Sequence, residues 1–415
     1  MSIQFPKDFF WGASTSAYQI EGGLENNWSM WEERHSREEA EYYNKRNKKR
    51  MKFVSYPVGK ENQREARKEE NYISGIACDS FKEYKKDGML LKELGLNAYR
   101  FSVAWSRIEP EKGKYSEEAI QYYKNLVKEL KDNNIEPFLT CWHWDIPVWL
   151  VREGGLLSKD IQEYFENYVK FLVENLGNEV KYWITINEPI VYASTSYLIG
   201  RWPPEKKNPF KFYKVAFVKL IEMHKNAYNI IKEYNKDLNV SIAKNNQFIE
   251  PYNRKLINKT ISSILRYINN YMFLDKIKGY LDFIGINYYT HNMIGLKGLK
   301  ILDDKISDMG WWMRPKSIKY VLKEVYDRYR LPIYVTENGV ADREEKYREW
   351  WIDETVEAMQ GALEYGVELK GYMHWSLLDN FEWAEGYWPR FGLATRDRVI
   401  KESGYYYREL IKKYV

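Results

Sequence analysis

Cysteine is almost missing from this sequence. Cys78 and Cys141 are the only two in 415 residues, so a disulfide framework is excluded, and neither has the neighbours a metal site needs. Histidine is nearly as scarce: five residues, scattered singly, give no basis for a histidine-based metal centre. No stretch approaches the roughly 18 uninterrupted apolar residues of a membrane span. The opening Met1-Ser2-Ile3-Gln4-Phe5-Pro6-Lys7-Asp8 has no basic segment followed by an apolar one, so no secretory signal is read there. Gly22-Gly23 lacks the spacing of a dinucleotide-binding turn, and no P-loop occurs. No Pro/Ser-rich linker and no short repeat divides the chain. Together these absences lead to the expectation of a cytoplasmic protein.

Charge is present but localised. The net charge is +5, yet Lys45–Lys68 alone holds ten basic residues against Glu61 and Glu65, a local +8 that leaves the remainder at −3. The basicity therefore belongs to one insertion and gives no reason to expect nucleic acid as a partner. It reads first as a solvated surface segment, and second as a patch making weak contact with an anionic membrane surface through 45–68. Aromatic residues are abundant, with 16 Trp, 36 Tyr and 17 Phe. Such rings suit both a core and the stacking of carbohydrate, and only their positions separate the two uses.

Short β-branched or aromatic runs alternate with amphipathic helical stretches. Strands are predicted at Phe9–Ala13, Ala98–Val103, Glu136–Cys141, Trp183–Asn187, Val240–Lys244, Phe283–Asn287, Ile333–Glu337 and Gly371–Trp375. The clearest helices are Ser116–Asn133, Lys159–Leu176, Pro209–Tyr234, Pro315–Tyr329 and Tyr347–Tyr365. Eight strands alternating with helices are the pattern of an α/β (β/α)₈ TIM barrel, here one domain over 1–415 with a basic loop insertion at 37–72.

In such a barrel, chemistry is built at the C-terminal ends of the strands. Those ends carry Gln19 with Glu21, Arg100, His143-Trp144-Asp145, Asn187-Glu188, Asn245, Asn287-Tyr288-Tyr289, Glu337-Asn338 and Trp375, followed by Asp379-Asn380-Phe381-Glu382-Trp383. Amides, carboxyls and indoles without a thiol nucleophile suit a neutral polyhydroxylated ligand, and no cofactor is implied. Glu188 and Glu337 end the fourth and seventh strands. Taken singly, Asn187-Glu188-Pro189 is a helix start with Asn187 as N-cap, and Glu337-Asn338-Gly339 is a strand running into a turn. Taken as a pair at one barrel mouth, they match the two carboxyls that glycoside hydrolysis requires.

Seven segments in order carry a resemblance that spans nearly the whole chain. They are Phe9–Gly22, Tyr99–Ile108, His143-Trp144-Asp145-Ile146-Pro147, Thr185-Ile186-Asn187-Glu188-Pro189, Phe283–Tyr289, Val335-Thr336-Glu337-Asn338-Gly339 and Trp375–Tyr387. The sequence resembles the family 1 glycoside hydrolases, the β-glucosidase/β-galactosidase family. That resemblance implies a retaining, exo-acting β-glycosidase that releases a terminal β-D-glucosyl or galactosyl unit from small β-glycosides. Glu188 would be the general acid/base and Glu337 the nucleophile, with Arg100, Tyr289 and Asn187 in support. Gln19, His143, Trp144, Asn187, Glu382 and Trp383 would bind the sugar, with Trp375 as its floor. The acid at Glu382 implies a sugar without a 6-phosphate.

The departures lie on the aglycone side. Ile190 stands where many relatives have an aromatic residue, and Trp311 matches another aglycone aromatic. The chain is shorter than most relatives between Phe248 and Tyr280, while Arg37–Tyr72 is an added lip. Two other readings stay open: an inactive glycan-binding homologue, which should lack one of the two acids, and a membrane-surface glycosidase acting on alkyl or lipid β-glycosides. Glucose, galactose, mannose and fucose are not separated by sequence, because the contacts that distinguish them turn on sub-ångström placement.

Overall fold

The computed structural model describes residues 4–44, 56–296, 298–301 and 305–414. The most basic part of the segment 45–68, residues 45–55, therefore lies outside the described residues. Eight parallel strands form a closed barrel: β1 (Phe10–Ser14), β2 (Ala98–Ser102), β3 (Glu136–Trp142), β4 (Tyr182–Asn187), β5 (Asn239–Asn245), β6 (Ile284–Tyr288), β7 (Ile333–Asn338) and β8 (Leu369–Trp375). Each pairs with its neighbour in sequence, and β1 pairs with both β2 and β8, so the barrel has no free edge. All eight predicted strands are present, with ends that move by one or two residues.

The helices between strands earn their places by burying one stripe. Glu117–Asp132 turns Ile120, Tyr123, Val127 and Leu130 inward at three- and four-residue steps. Its start is set by Ser116, whose Oγ accepts from the Ala119 amide at 3.2 Å, with Glu117 and Glu118 in the first turn. The predicted helix Pro209–Tyr234 is helical throughout but not uniform. A π-helical turn, Val215–Lys219, joins Pro209–Lys214 to Leu220–Tyr234. A feature the periodicity does not reveal is a small three-stranded sheet, Phe248–Pro251, His291–Gly295 and Gly298–Lys300, with the helix Leu256–Arg266 packed against it.

The interior of the barrel has two levels. Phe10, Ala98, Phe138, Tyr182, Ile184, Ala243, Phe283, Tyr334 and Met373 make an apolar plug, mostly from the first halves of the strands. Phe138 and Tyr182 stack with centroids 4.2 Å apart, and Tyr334 and Phe283 meet edge-on at 5.1 Å. Further along the strands the inward residues become Arg100, Asn187, Asn287 and Glu337, all buried. The plug is thus a dry floor under a polar layer. Phe138→Ala should cost about 3–5 kcal/mol, read as a lowered urea midpoint. A loss below about 1 kcal/mol would show that the plug does not support the barrel.

Candidate active site

The polar layer is organised by Arg100. Its Nη1 donates to Glu337 Oε1 at 2.5 Å, its Nη2 to Asn187 Oδ1 at 2.8 Å, and its Nε to Thr140 Oγ1 at 3.0 Å. Arg100 sits on β2, Asn187 on β4 and Glu337 on β7, so one side chain ties three strands that are not neighbours. The other oxygen of Glu337 accepts from the Tyr289 hydroxyl at 2.6 Å. Where Glu337 enters the barrel, the pairing of β7 with both β6 and β8 shifts register after Val335. Such a bulge re-aims a side chain. Gly339 allows the close approach that follows, because a Cβ there would lie 1.8 Å from the Trp375 carbonyl oxygen. Asn338 is structural: it bonds the Tyr288 carbonyl and accepts from the Trp351 indole.

Glu188 has a different set of partners. Its Oε1 accepts from Asn287 Nδ2 at 2.8 Å and from Asn245 Nδ2 at 3.1 Å, and both donors are neutral amides. Thr336 Oγ1 in turn fixes Asn287 by donating to its Oδ1 at 2.7 Å. Glu188 itself, not Asn187, occupies the N-cap position of the short helix Pro189–Ala193, and its side chain makes no cap bond. Asn187 instead points into the barrel, which corrects the local reading of the Asn-Glu-Pro motif. The backbone of Glu188 is left-handed, with φ of 41°, as are two other cavity residues, Trp144 at 74° and Trp383 at 49°. Each such conformation costs on the order of 1–3 kcal/mol and persists only where its surroundings impose it.

Electrostatics separate the acids. Burial, and then the repulsion of Glu337, push Glu188 up to about 7. Burial also raises Glu337, but there the Arg100 guanidinium and the Tyr289 hydroxyl pull the other way. Glu337, with a cation in direct contact, is the better place for a negative charge. Desolvation pushes Glu382 up to about 8, with the Gln19 amide opposing and Glu337, Glu385 and Glu188 adding to the rise. His143 is held neutral by burial and by the Arg100 charge. Asn187 Nδ2 donates to His143 Nε2 at 2.8 Å, which leaves the ring proton on Nδ1. That nitrogen is buried without a partner among the described residues.

Among the expected site residues, Glu188, Glu337, Glu382, His143, Trp144, Tyr289, Trp311, Trp375 and Trp383 all line one cavity of about 1470 Å³. Gln19, Asn187 and Arg100 stand directly behind these residues, bonded to Glu382, His143 and Glu337 respectively. Gln19 Nε2 is spent on Asn380 Oδ1, the Phe381 carbonyl and Glu382 Oε2 at 2.8–3.1 Å, so it holds the loop that carries Glu382. Trp144 offers the cavity a ring face only, because its indole N–H donates to the Asn187 carbonyl at 2.9 Å. Three other acids near strand ends are structural. Glu21 pairs with Arg107, Asp145 caps Ser106, and Asp379 bonds Lys401. Asn245 and Asn287 were visible at their strand ends, but without an expected role; only the fold shows both converging on Glu188. The described part of the insertion borders the cavity through Tyr42, Tyr43, Tyr56, Pro57, Gln63 and Arg67.

Comparison with known proteins gives a consistent result. The profile of Glycosyl hydrolase family 1 matches residues 1–277 and 270–414. A 1,4-beta-D-glucan glucohydrolase of Thermotoga neapolitana is 31% identical, with 99% of this chain and 98% of that protein aligned. A beta-glucosidase from Thermotoga maritima in complex with glucoimidazole superposes with a TM-score of 0.85 at 29% identity, covering 99% of both chains. A beta-glycosidase from Pyrococcus horikoshii gives 0.83 at 32% identity, covering 99% of this chain and 95% of that one.

The raised Glu188 has a thermodynamic consequence. A carboxyl whose folded-state pKa lies near 7, against an ordinary 4.5, adds stability that is complete below about 4.5 and is lost as pH rises toward 7. Glu188→Gln keeps the acceptor for both amides and removes the titration. The variant should therefore gain on the parent protein as pH rises, by about 3 kcal/mol between pH 4.5 and 8. Paired melting curves across that range measure this gain. A difference that does not change with pH would contradict the assigned environment.

Proposed function

Because the chain belongs to glycosyl hydrolase family 1 and is an O-glycosyl hydrolase, we propose that it removes terminal non-reducing β-D-glucosyl or galactosyl units from small β-glycosides with retention of configuration. The observation that carries this reading is the unequal pair: Glu337 bonded to a guanidinium and a phenol, Glu188 bonded only to amides, and Asn287 beside both. We take the catalytic domain to be the whole of 1–415, with 37–72 as an insertion, and the protein to be cytoplasmic. The two free, buried cysteines fit a reducing compartment. Contact of 45–68 with an anionic surface belongs to the same proposal and would appear as salt-sensitive vesicle binding.

In the first step a Glu337 carboxylate oxygen attacks the anomeric carbon. Glu188 delivers its proton to the departing glycosidic oxygen, so the leaving group departs as a neutral alcohol. Forming the glycosyl ester removes the charge of Glu337, and with it the repulsion that helps hold the proton on Glu188. Glu188, having given up its proton, then stays ionised at neutral pH and is free to take a proton from the water that attacks the same face in the second step. Arg100 and Tyr289 hold Glu337 ionised and aimed before attack. His143 Nδ1–H and Glu382 supply the donor and the acid that meet ring hydroxyls, with Trp375 and Trp383 as apolar faces. Gln19 and Asn187 position Glu382 and His143 and complete the set of sugar-binding side chains.

The first-formed sugar should be the β anomer, observed by proton NMR before mutarotation; the α anomer would overturn the mechanism. Glu337→Ala should lose several orders of magnitude in turnover and recover in part with azide, giving the α-glycosyl azide. A folded variant that azide does not rescue would contradict the nucleophile assignment.

A further inference from the structure

The cavity is larger than a monosaccharide site requires: its volume of about 1470 Å³ exceeds the roughly 300–1,000 Å³ of pockets that enclose drug-sized ligands. The excess lies on the outer side, and much of its wall is aliphatic. It includes Ile190, two residues after the acid Glu188, with Ile261, Leu265 and Ile268 from one helical segment, Leu299 from the small sheet and Leu296 from the turn between two of its strands. Gln247 and Asn292, polar groups on the same wall, bond each other at 2.5 Å and so offer fewer free hydrogen bonds to a ligand. From Ile261 to Ile268 the segment rises about 10 Å along its axis, so its apolar stripe is long as well as broad.

The helix Leu256–Arg266 is inverted relative to an ordinary surface helix. Its buried side chains are Asn258 and Ser262. Asn258 is held by Asn253 Oδ1 and by the Leu296 amide, while Leu256 and Ile264 are 79% and 53% exposed. Several residues belong to both surfaces, among them Leu265 and Leu296, which line the cavity and are 39% and 71% exposed. Aliphatic side chains thus line the cavity both two residues on from Glu188, at Ile190, and at its solvent-exposed side, at Leu265 and Leu296. Exposed Leu and Ile on a helix whose polar side is buried cost stability that a sugar or water ligand would not return.

We propose that this wall is the binding site for a long aliphatic aglycone, and that the preferred substrates are β-glycosides of long-chain aliphatic alcohols. The inference rests on the β-glycosidase reading above and adds its substrate class. A second sugar in the aglycone position would draw on hydrogen-bonding groups, and of those on this wall Gln247 and Asn292 are already bonded to each other. An aliphatic surface open at its far end instead rewards each added methylene and sets no sharp upper limit on length.

The test uses methyl, hexyl, octyl and decyl β-glucosides below their critical micelle concentrations. For the parent enzyme, kcat/KM should rise roughly two- to fourfold per added methylene from hexyl to decyl. In the double variant Leu265→Asp with Leu296→Asp, the slope should flatten when each rate is divided by that enzyme's own rate on the methyl glucoside. Both positions are solvent-exposed, so the variant should fold. The dissociation constants of the hexyl, octyl and decyl 1-thio-β-glucosides, measured by calorimetry, carry the same slope without turnover. An active enzyme with flat kcat/KM and flat dissociation constants overturns the aglycone assignment. A folded enzyme that binds the thioglucosides with the expected slope but hydrolyses none of the glucosides overturns the hydrolytic reading and leaves the apolar site standing.

Discussion

The contact between Arg100 and Glu337 constrains everything around it. Both side chains are buried, and a buried charge without its partner is strongly destabilising, by about 3–5 kcal/mol in comparable pairs. The apolar plug beneath them keeps water away and strengthens the pair, but it also makes every unmatched group costly. The guanidinium therefore has each of its nitrogens committed, to β3, β4 and β7. Asn187 takes its place from that demand, and His143 takes its tautomer from Asn187. A single charge low in the barrel thus sets the protonation and direction of groups at its mouth.

Three glutamates within one cavity show how far environment, and not residue type, decides chemistry. Glu337 touches a cation, Glu188 only amides, and Glu382 the amide of Gln19. Desolvation acts on all three alike, so what separates them is the partner each one meets. The left-handed backbone at Glu188, Trp144 and Trp383 adds a further cost that packing must offset. Trp383 is held among Tyr18, Trp28, Trp144 and Trp202, with ring centroids 4.7–6.2 Å apart, which is how part of the aromatic excess is used.

Much of this was legible in the sequence. The alternation of strand and helix is a local pattern, and all eight barrel strands fall where β-branched and aromatic runs predict them. The two acids were legible because strand ends in a barrel share one mouth. The bonds that position the site residues were not legible. Gln19 and Asn187 carry the expected side chains, but their reach depends on bonds to residues hundreds of positions away or on other strands. The small sheet and its inverted helix were also hidden, since an apolar stripe in Leu256–Arg266 gives the same period whether it faces inward or outward. The desolvation that raises Glu382 likewise depends on the whole fold.

The central claim is that Glu337 carries the charge and attacks while Glu188 holds the proton. Incubation with a 2-deoxy-2-fluoro β-glucoside bearing a good leaving group, followed by peptide mass spectrometry, tests it most directly. The fluorine slows both steps and the leaving group restores the first, so the glycosyl ester should accumulate. One fluoroglucosyl group on the peptide containing Glu337, and none on that containing Glu188, is the predicted result. A label on Glu188, or hydrolysis that proceeds with no covalent species on either acid, would contradict the account.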